Sequence, residues 1–126
     1  MIKDKVLQKF GQLLVSEVRD EAIDKYEMIA TGTMKSVSAT ELHSKLTNFT
    51  EDQLSIVREI VVSSIDDVIH NFLWMLEQHD DDVDLLCSWN GDSDKENIRK
   101  LSDGLSGEIY TEDGWIAKFS SYKENY

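Results

Sequence analysis

The apolar run VVSSIDDVIHNFLWML (61–76) contains two adjacent carboxylates, Asp66 and Asp67, followed four and three residues later by His70. On a helix those spacings bring the side chains together on one surface. An aspartate beside an imidazole orients the ring and raises its proton affinity, which is how a general base is often poised. Asp67-x-x-His70 also has the spacing of one half of a carboxylate and histidine metal site in a helix bundle. Such a site needs a second pair and further glutamates, yet neither His43 nor His79 has a carboxylate three residues before it. Asp92, Asp94 and Glu96 are spaced as in a calcium loop, but Asn97 replaces the required sixth-position glycine and Asp103 the twelfth-position glutamate. Gly104, Gly107 and Gly114 fit neither the dinucleotide nor the P-loop spacing. The chain thus completes no metal set and no cofactor motif. An enzyme reading would rest on Asp66, His70 and Glu108, acting as acid and base or with the help of a metal, beside Asp103 and Trp115.

The element that must position this run is a helix predicted over 51–78. TEDQ (50–53) has the form of a capping box, and Glu51 and Asp52 stand at the positive end of the helix dipole. Wound at 100° per residue, Leu54, Val57, Val61, Ile65, Val68, Ile69, Phe72, Leu73, Met75 and Leu76 form one broad face. Asp52, Glu59, Ser63, Asp66, His70 and Glu77 fall opposite, so the polar residues read as a solvated stripe on an amphipathic helix. Trp74 lies one turn beyond His70 on the same helix.

Upstream, apolar residues recur at threes and fours from Lys3 to about Ala30, which predicts one long amphipathic helix. TGTMKSV (31–37) breaks it at Gly32. SATE (38–41) has the capping-box form, with Ser38 and Glu41 opening a short helix through Leu46. Downstream, EQHDDDVD (77–84) is a solvated acidic loop. VDLLCSW (83–89) then has strand length, and the turn formers NGDSD (90–94) lead back through NIRKL (97–101), predicting a hairpin in which Cys87 is buried. Ser102 and Thr111 read as turn or cap residues opening short segments that bury Leu105, Ile109, Trp115, Ile116 and Phe119. The fold class expected is mainly α (α+β): long amphipathic helices packed together, with a small antiparallel β element in the C-terminal half. At 126 residues the chain suits a single domain over 1–126.

Charge is unevenly spread. Residues 1–50 hold seven basic and seven acidic side chains and 51–126 hold six and eighteen, so the net charge of -12 belongs to the second part. Nucleic-acid binding is disfavoured, because phosphate recognition rests on Lys and Arg and no basic run exists. A basic protein partner is the complementary expectation. No run approaches the roughly 18 apolar residues of a membrane span, and the N-terminus lacks the unbroken apolar core of a signal peptide. One cysteine, Cys87, allows no intrachain disulfide, and a reducing cytoplasm is the expected location.

SIDDVIHNFLWML (64–76) followed by LSDGLSGEIYTEDGWIAKFS (101–120) resembles a family of small acidic single-domain bacterial proteins of unknown function. That family carries an Ile-Asp-x-x-x-His-x-Phe-Leu helix and a Ser-Asp-Gly-Leu-x-Gly-Glu…Asp-Gly-Trp ending. The resemblance covers the C-terminal half and, more loosely, the first helix. It implies a bacterial or phage origin and marks Asp66, His70, Phe72, Ser102, Asp103, Gly104, Gly107, Glu108, Gly114 and Trp115, with no chemistry attached. In size and charge the chain also resembles, in general character, the immunity proteins that neutralise bacterial toxins.

Two functions follow. The first is a non-catalytic acidic interaction module that docks a basic partner, of which a toxin-neutralising immunity-type protein is one form. Its contact surface would be Asp103, Glu108, Tyr110, Glu112, Asp113 and Trp115, where aromatic anchors sit beside charge. The second is the small enzyme already outlined. They differ in geometry, because an enzyme needs its groups to converge in a concave pocket.

Overall fold

The computed structural model describes residues 2–123, with side chains from residue 4. The first helix runs unbroken as α1 (Ile2–Leu13), a π-helical segment (Leu14–Arg19) and α2 (Asp20–Thr31), with helical backbone angles at both junctions. Gly32 ends it at φ 77°, in the left-handed region where a side chain is strained, and a Cβ there would also meet the His43 ring. The next helix, α3, is Val37–Leu46, and its cap is Ser36 rather than Ser38. Ser36 Oγ accepts the Ala39 amide at 3.3 Å, so a simple serine N-cap two residues earlier replaces the expected Ser38/Glu41 capping box.

The longest element, α4, spans Glu51–Gln78, as the sequence predicts. Thr50 and Gln53 form the capping box reciprocally, at 3.1 Å and 2.9 Å. At its other end the Arg99 guanidinium donates to the carbonyls of Leu76 (2.7 Å) and Val83 (2.9 Å) and pairs with Asp84. This satisfies an orphan helix carbonyl and pins the acidic loop to the helix end. Strands β1 (Leu86–Cys87) and β2 (Glu96–Asn97) pair antiparallel, Leu86 opposite Asn97 and Cys87 opposite Glu96. The predicted strands at 83–89 and 97–101 therefore shrink to two residues each, and Ile98–Leu101 forms the short helix α5, capped by Asn97. Cys87 is half-buried rather than buried. A 3₁₀ turn (Leu105–Gly107) and α6 (Trp115–Phe119) complete the chain.

The architecture is mainly α with a small antiparallel β element in the C-terminal half, as expected. One core joins Val6, Leu7, Leu14 and Val15 of the first helix to Ile69, Leu73 and Leu76 of α4. The C-terminal segments close it with Ile98, Leu105, Ile109, Trp115 and Ile116, while Phe119 is half-buried. Trp115 lies against Gly11, where any β-carbon would overlap the indole, and Phe10 meets its edge at 5.8 Å between ring centroids. A glycine in mid-helix costs about 1 kcal/mol relative to alanine, and here it admits the largest buried side chain.

Candidate functional site

The polar stripe of α4 is not uniformly solvated. Asp66, expected in water, is 4% exposed and pairs with Arg19, which is 0% exposed. Arg19 Nε donates to Asp66 Oδ1 at 2.6 Å, and its other nitrogens reach Asp66 Oδ2 at 3.4 Å, Asp20 at 3.2 Å, Ser120 Oγ at 2.8 Å and the Tyr122 carbonyl at 2.8 Å. Asp20 in turn accepts from Ser120 Oγ and the Ser121 amide, each at 2.7 Å. The node lies where the first helix is π-wound, and it ties that helix, α4 and the C-terminal tail together. A π turn is a common mark of a functional or tightly specified position. Sequence reading missed Arg19 because an arginine among apolar residues at helical spacing is usually solvated. The signal that could have found it is the pair Arg19-Asp20 interrupting the apolar rhythm between Val15 and Ile23.

The remaining candidate residues are dispersed. His70 is half-buried beside Tyr110, with ring centroids 5.7 Å apart, and its Nδ1 is buried without a hydrogen-bond partner among the described residues. Asp66 is committed to Arg19 and does not orient that ring. Tyr110 is half-buried, and its phenol is pushed up by burial and by the charges of Asp66 and Asp67. Glu108 is half-buried and its carboxyl is raised, mainly by burial, with Asp103 adding and Lys118 opposing. Trp115, expected both inside a buried segment and as a contact anchor, is 1% exposed and belongs to the core, so only the first expectation holds. Asp103, Glu112 and Asp113 are exposed. Thr111 beside them has φ 77°, which for a β-branched residue stores roughly 1–3 kcal/mol of strain.

Two further features concern chemistry. Among the described residues no three His, Cys, Asp or Glu side chains gather where they could share a metal ion. Burial raises the Cys87 thiol, which disfavours the nucleophilic thiolate.

What α4 does present is apolar surface. Its buried positions are Val62, Asp66, Ile69, Leu73 and Leu76. They lie roughly 75° around the helix from the centre of the apolar face at 100° per residue. Part of that face is therefore left outward: Val68, Phe72, Met75 and, further round, Ile60 are exposed. Val68 and Phe72 line a wholly apolar groove of about 290 Å³ with Ile69 and, across from them, Leu14 and Val18 of the first helix. A second depression is lined by Ile56, Glu59, Ile60, Ser63 and Ser64, and a third by Lys5, Gln8, Lys9, Gln12, Trp89 and Phe119.

No protein-family model, curated protein or solved structure matches the chain. Among the described residues no helix is long and apolar enough to cross a membrane.

Proposed function

We propose that the protein is a non-catalytic acidic interaction module that docks a basic protein partner in the cytoplasm, with a toxin-neutralising immunity-type role as its most specific form. One observation carries this reading: the carboxylate that an acid–base site would need, Asp66, is held in a buried ion pair with Arg19, while most other acids of the second half stand in water. Asp80, Asp81 and Asp82 follow α4, and Asp92 and Asp94 occupy the hairpin turn. Asp103, Glu112 and Asp113 flank the last turns, and all eight are exposed. Carboxylates so placed contribute little to folding, and their shared sign sets a field that steers a cationic surface into encounter. Of the six contact residues expected from sequence, these last three keep that role, Glu108 and Tyr110 border them half-buried, and Trp115 serves the core.

The test is kinetic. With a basic protein captured from the native host, association should slow steeply between about 50 and 500 mM salt, as the Debye length falls from roughly 14 to 4 Å, while dissociation changes little. Neutralising Asp103, Glu112 and Asp113 together should lower the on-rate in the same way. Binding that is independent of salt, or unchanged in that triple variant, would leave the acidity as a determinant of solubility alone.

A further inference from the structure

Resting on the interaction-module reading, we infer that the groove between the first helix and α4 is the seat of one amphipathic helix with a basic polar face, supplied by the partner. The floor and walls are apolar: Leu14 and Val18 on one side, Val68, Ile69 and Phe72 on the other. Val18 is exposed on the first helix, and Val68 and Phe72 are exposed on α4 although they belong to the apolar run 61–76. On α4 the groove takes in Val68, Ile69 and Phe72, with Met75 exposed one turn beyond Phe72, so it offers about two helical turns of apolar contact. A helix laid in such a groove anchors through apolar residues at i, i+3, i+4 and i+7.

Charge selects the occupant. Over residues 12–24 and 64–78, the stretches that flank the groove, the exposed charged side chains are Glu17, Glu21 and Asp67. The sole arginine in those stretches, Arg19, is buried in its ion pair, and they contain no lysine. Lys25 is the first exposed base beyond them. A second copy of this chain would set these three carboxylates against their own counterparts around a common apolar patch, and like charges across an interface oppose association. A partner helix with lysine or arginine beside its apolar stripe meets both the patch and its border.

The probes are three synthetic 18-residue peptides: an amphipathic helix with leucines on one face and lysines on the other, its lysine-to-glutamate counterpart, and a scrambled sequence of the basic composition. Binding is followed by amide and methyl NMR shifts of the full chain, alongside Val68→Glu and Asp103→Asn/Glu112→Gln/Asp113→Asn variants shown by thermal melts to be folded. The inference expects the basic amphipathic peptide to bind at least tenfold more tightly than the other two. It also expects the peptide to shift Val18, Val68 and Phe72 and to lose at least tenfold in affinity in Val68→Glu. Equal binding of the basic and scrambled peptides, unaffected by Val68→Glu but weakened in the triple variant, overturns the groove and leaves the acidic-surface reading standing. Absence of binding by either basic peptide overturns both. A concentration-dependent dimer in sedimentation that Val68→Glu dissolves also overturns the inference, and assigns the groove to a second copy.

Discussion

The two sides of α4 invert the usual distribution of polarity. Toward the protein, Asp66 is buried with Arg19; toward water, Val68 is 68% exposed and Ile60 60% exposed. The energies are comparable in size. Fully burying an aliphatic or aromatic side chain gains about 1.5–3 kcal/mol, whereas leaving one member of a buried ion pair without its partner costs about 3–5 kcal/mol. Turning α4 to bury Val68 and Phe72 would draw Asp66 away from Arg19 and expose Val62 and Leu73. The rotation of the helix is thus set by the ion-pair node together with the residues that already fit the core, and the surplus apolar arc is left outward. The lesson is that an apolar face wider than its contact does not say which part of it is buried.

The largest expected effect comes from breaking the node. Arg19→Met leaves Asp20 and Asp66 buried beside a methionine and should lower stability by about 3–5 kcal/mol in urea titration. Adding Asp66→Leu should recover a substantial part of that loss, because the remaining carboxylate, Asp20, keeps its bonds from Ser120 and Ser121. A loss below about 1 kcal/mol for the single variant would mean that the node does not set the rotation of α4, and the comparison would fail.

A smaller effect tests the first helix, whose rotation decides where Arg19 points. Gly11→Ala places a methyl group inside the Trp115 ring, and the indole cannot retreat from a core in which it is almost fully buried. Overpacking of this kind costs about 1–3 kcal/mol, read as a lower thermal midpoint. Because alanine also gains about 1 kcal/mol of helix propensity over glycine, a midpoint raised by that full gain would show that the helix and α6 can separate without cost, and the rotation of the first helix would lose its explanation.

How much of this was legible in the sequence depends on the range of the cause. Capping at Thr50, the extent of α4, the stop at Gly32 and the mainly α class follow from contacts within a few residues, and all were readable. The Ser36 start differs because two serines two residues apart could each cap the helix, and the simple cap at Ser36 won over the box at Ser38. The burial of Asp66 depends on Arg19, which beyond its neighbour Asp20 meets groups 47 to 103 residues away, and the tie from Arg99 to the end of α4 spans 23 residues. Local pattern carries no record of such pairings. Trp115 reads both as buried in a short segment and, beside acids, as a contact anchor; the first reading holds, because its environment is set by Gly11, across the chain.

The tail supplies the third and milder test. Tyr122 donates its hydroxyl to Asp24, stacks near the Arg58 guanidinium at 5.8 Å and gives its carbonyl to Arg19. Its phenol is pushed up to about 12, first by the bond to Asp24, then by burial and by nearby carboxylates. The folded pKa therefore lies above the ordinary value of 10.0. The contribution to stability is complete below that ordinary value and is lost as pH rises from there through about 12. Absorbance at the phenolate band (near 295 nm) should show one tyrosine ionising near 12 in the native protein but not in urea, and not in Tyr122→Phe. That variant should cost about 1 kcal/mol, the worth of one hydrogen bond. A native tyrosine titration indistinguishable from that in urea would detach the tail from the node.

The smallest effect belongs to the outward side, and its smallness is the point. Val68→Ser and Ile60→Ser remove apolar atoms that already face water, so neither forfeits burial, and each should change stability by no more than about 0.5 kcal/mol. Serine has a slightly lower helix propensity than the best helix formers, but the residues replaced are β-branched and gain nothing by comparison, so propensity adds little. Asp66 lies two positions before Val68 on the same helix, and its removal should cost several times more. The pair of measurements is therefore a direct reading of the inversion along half a turn of α4. If Val68→Ser instead cost about 1.5 kcal/mol or more, and the loss grew with protein concentration, the residue would be buried against another copy, because only an intermolecular contact makes a thermal midpoint depend on concentration. If the loss were the same at every concentration, α4 would be rotated toward its apolar face, and Asp66 would stand in water as its sequence spacing first suggests.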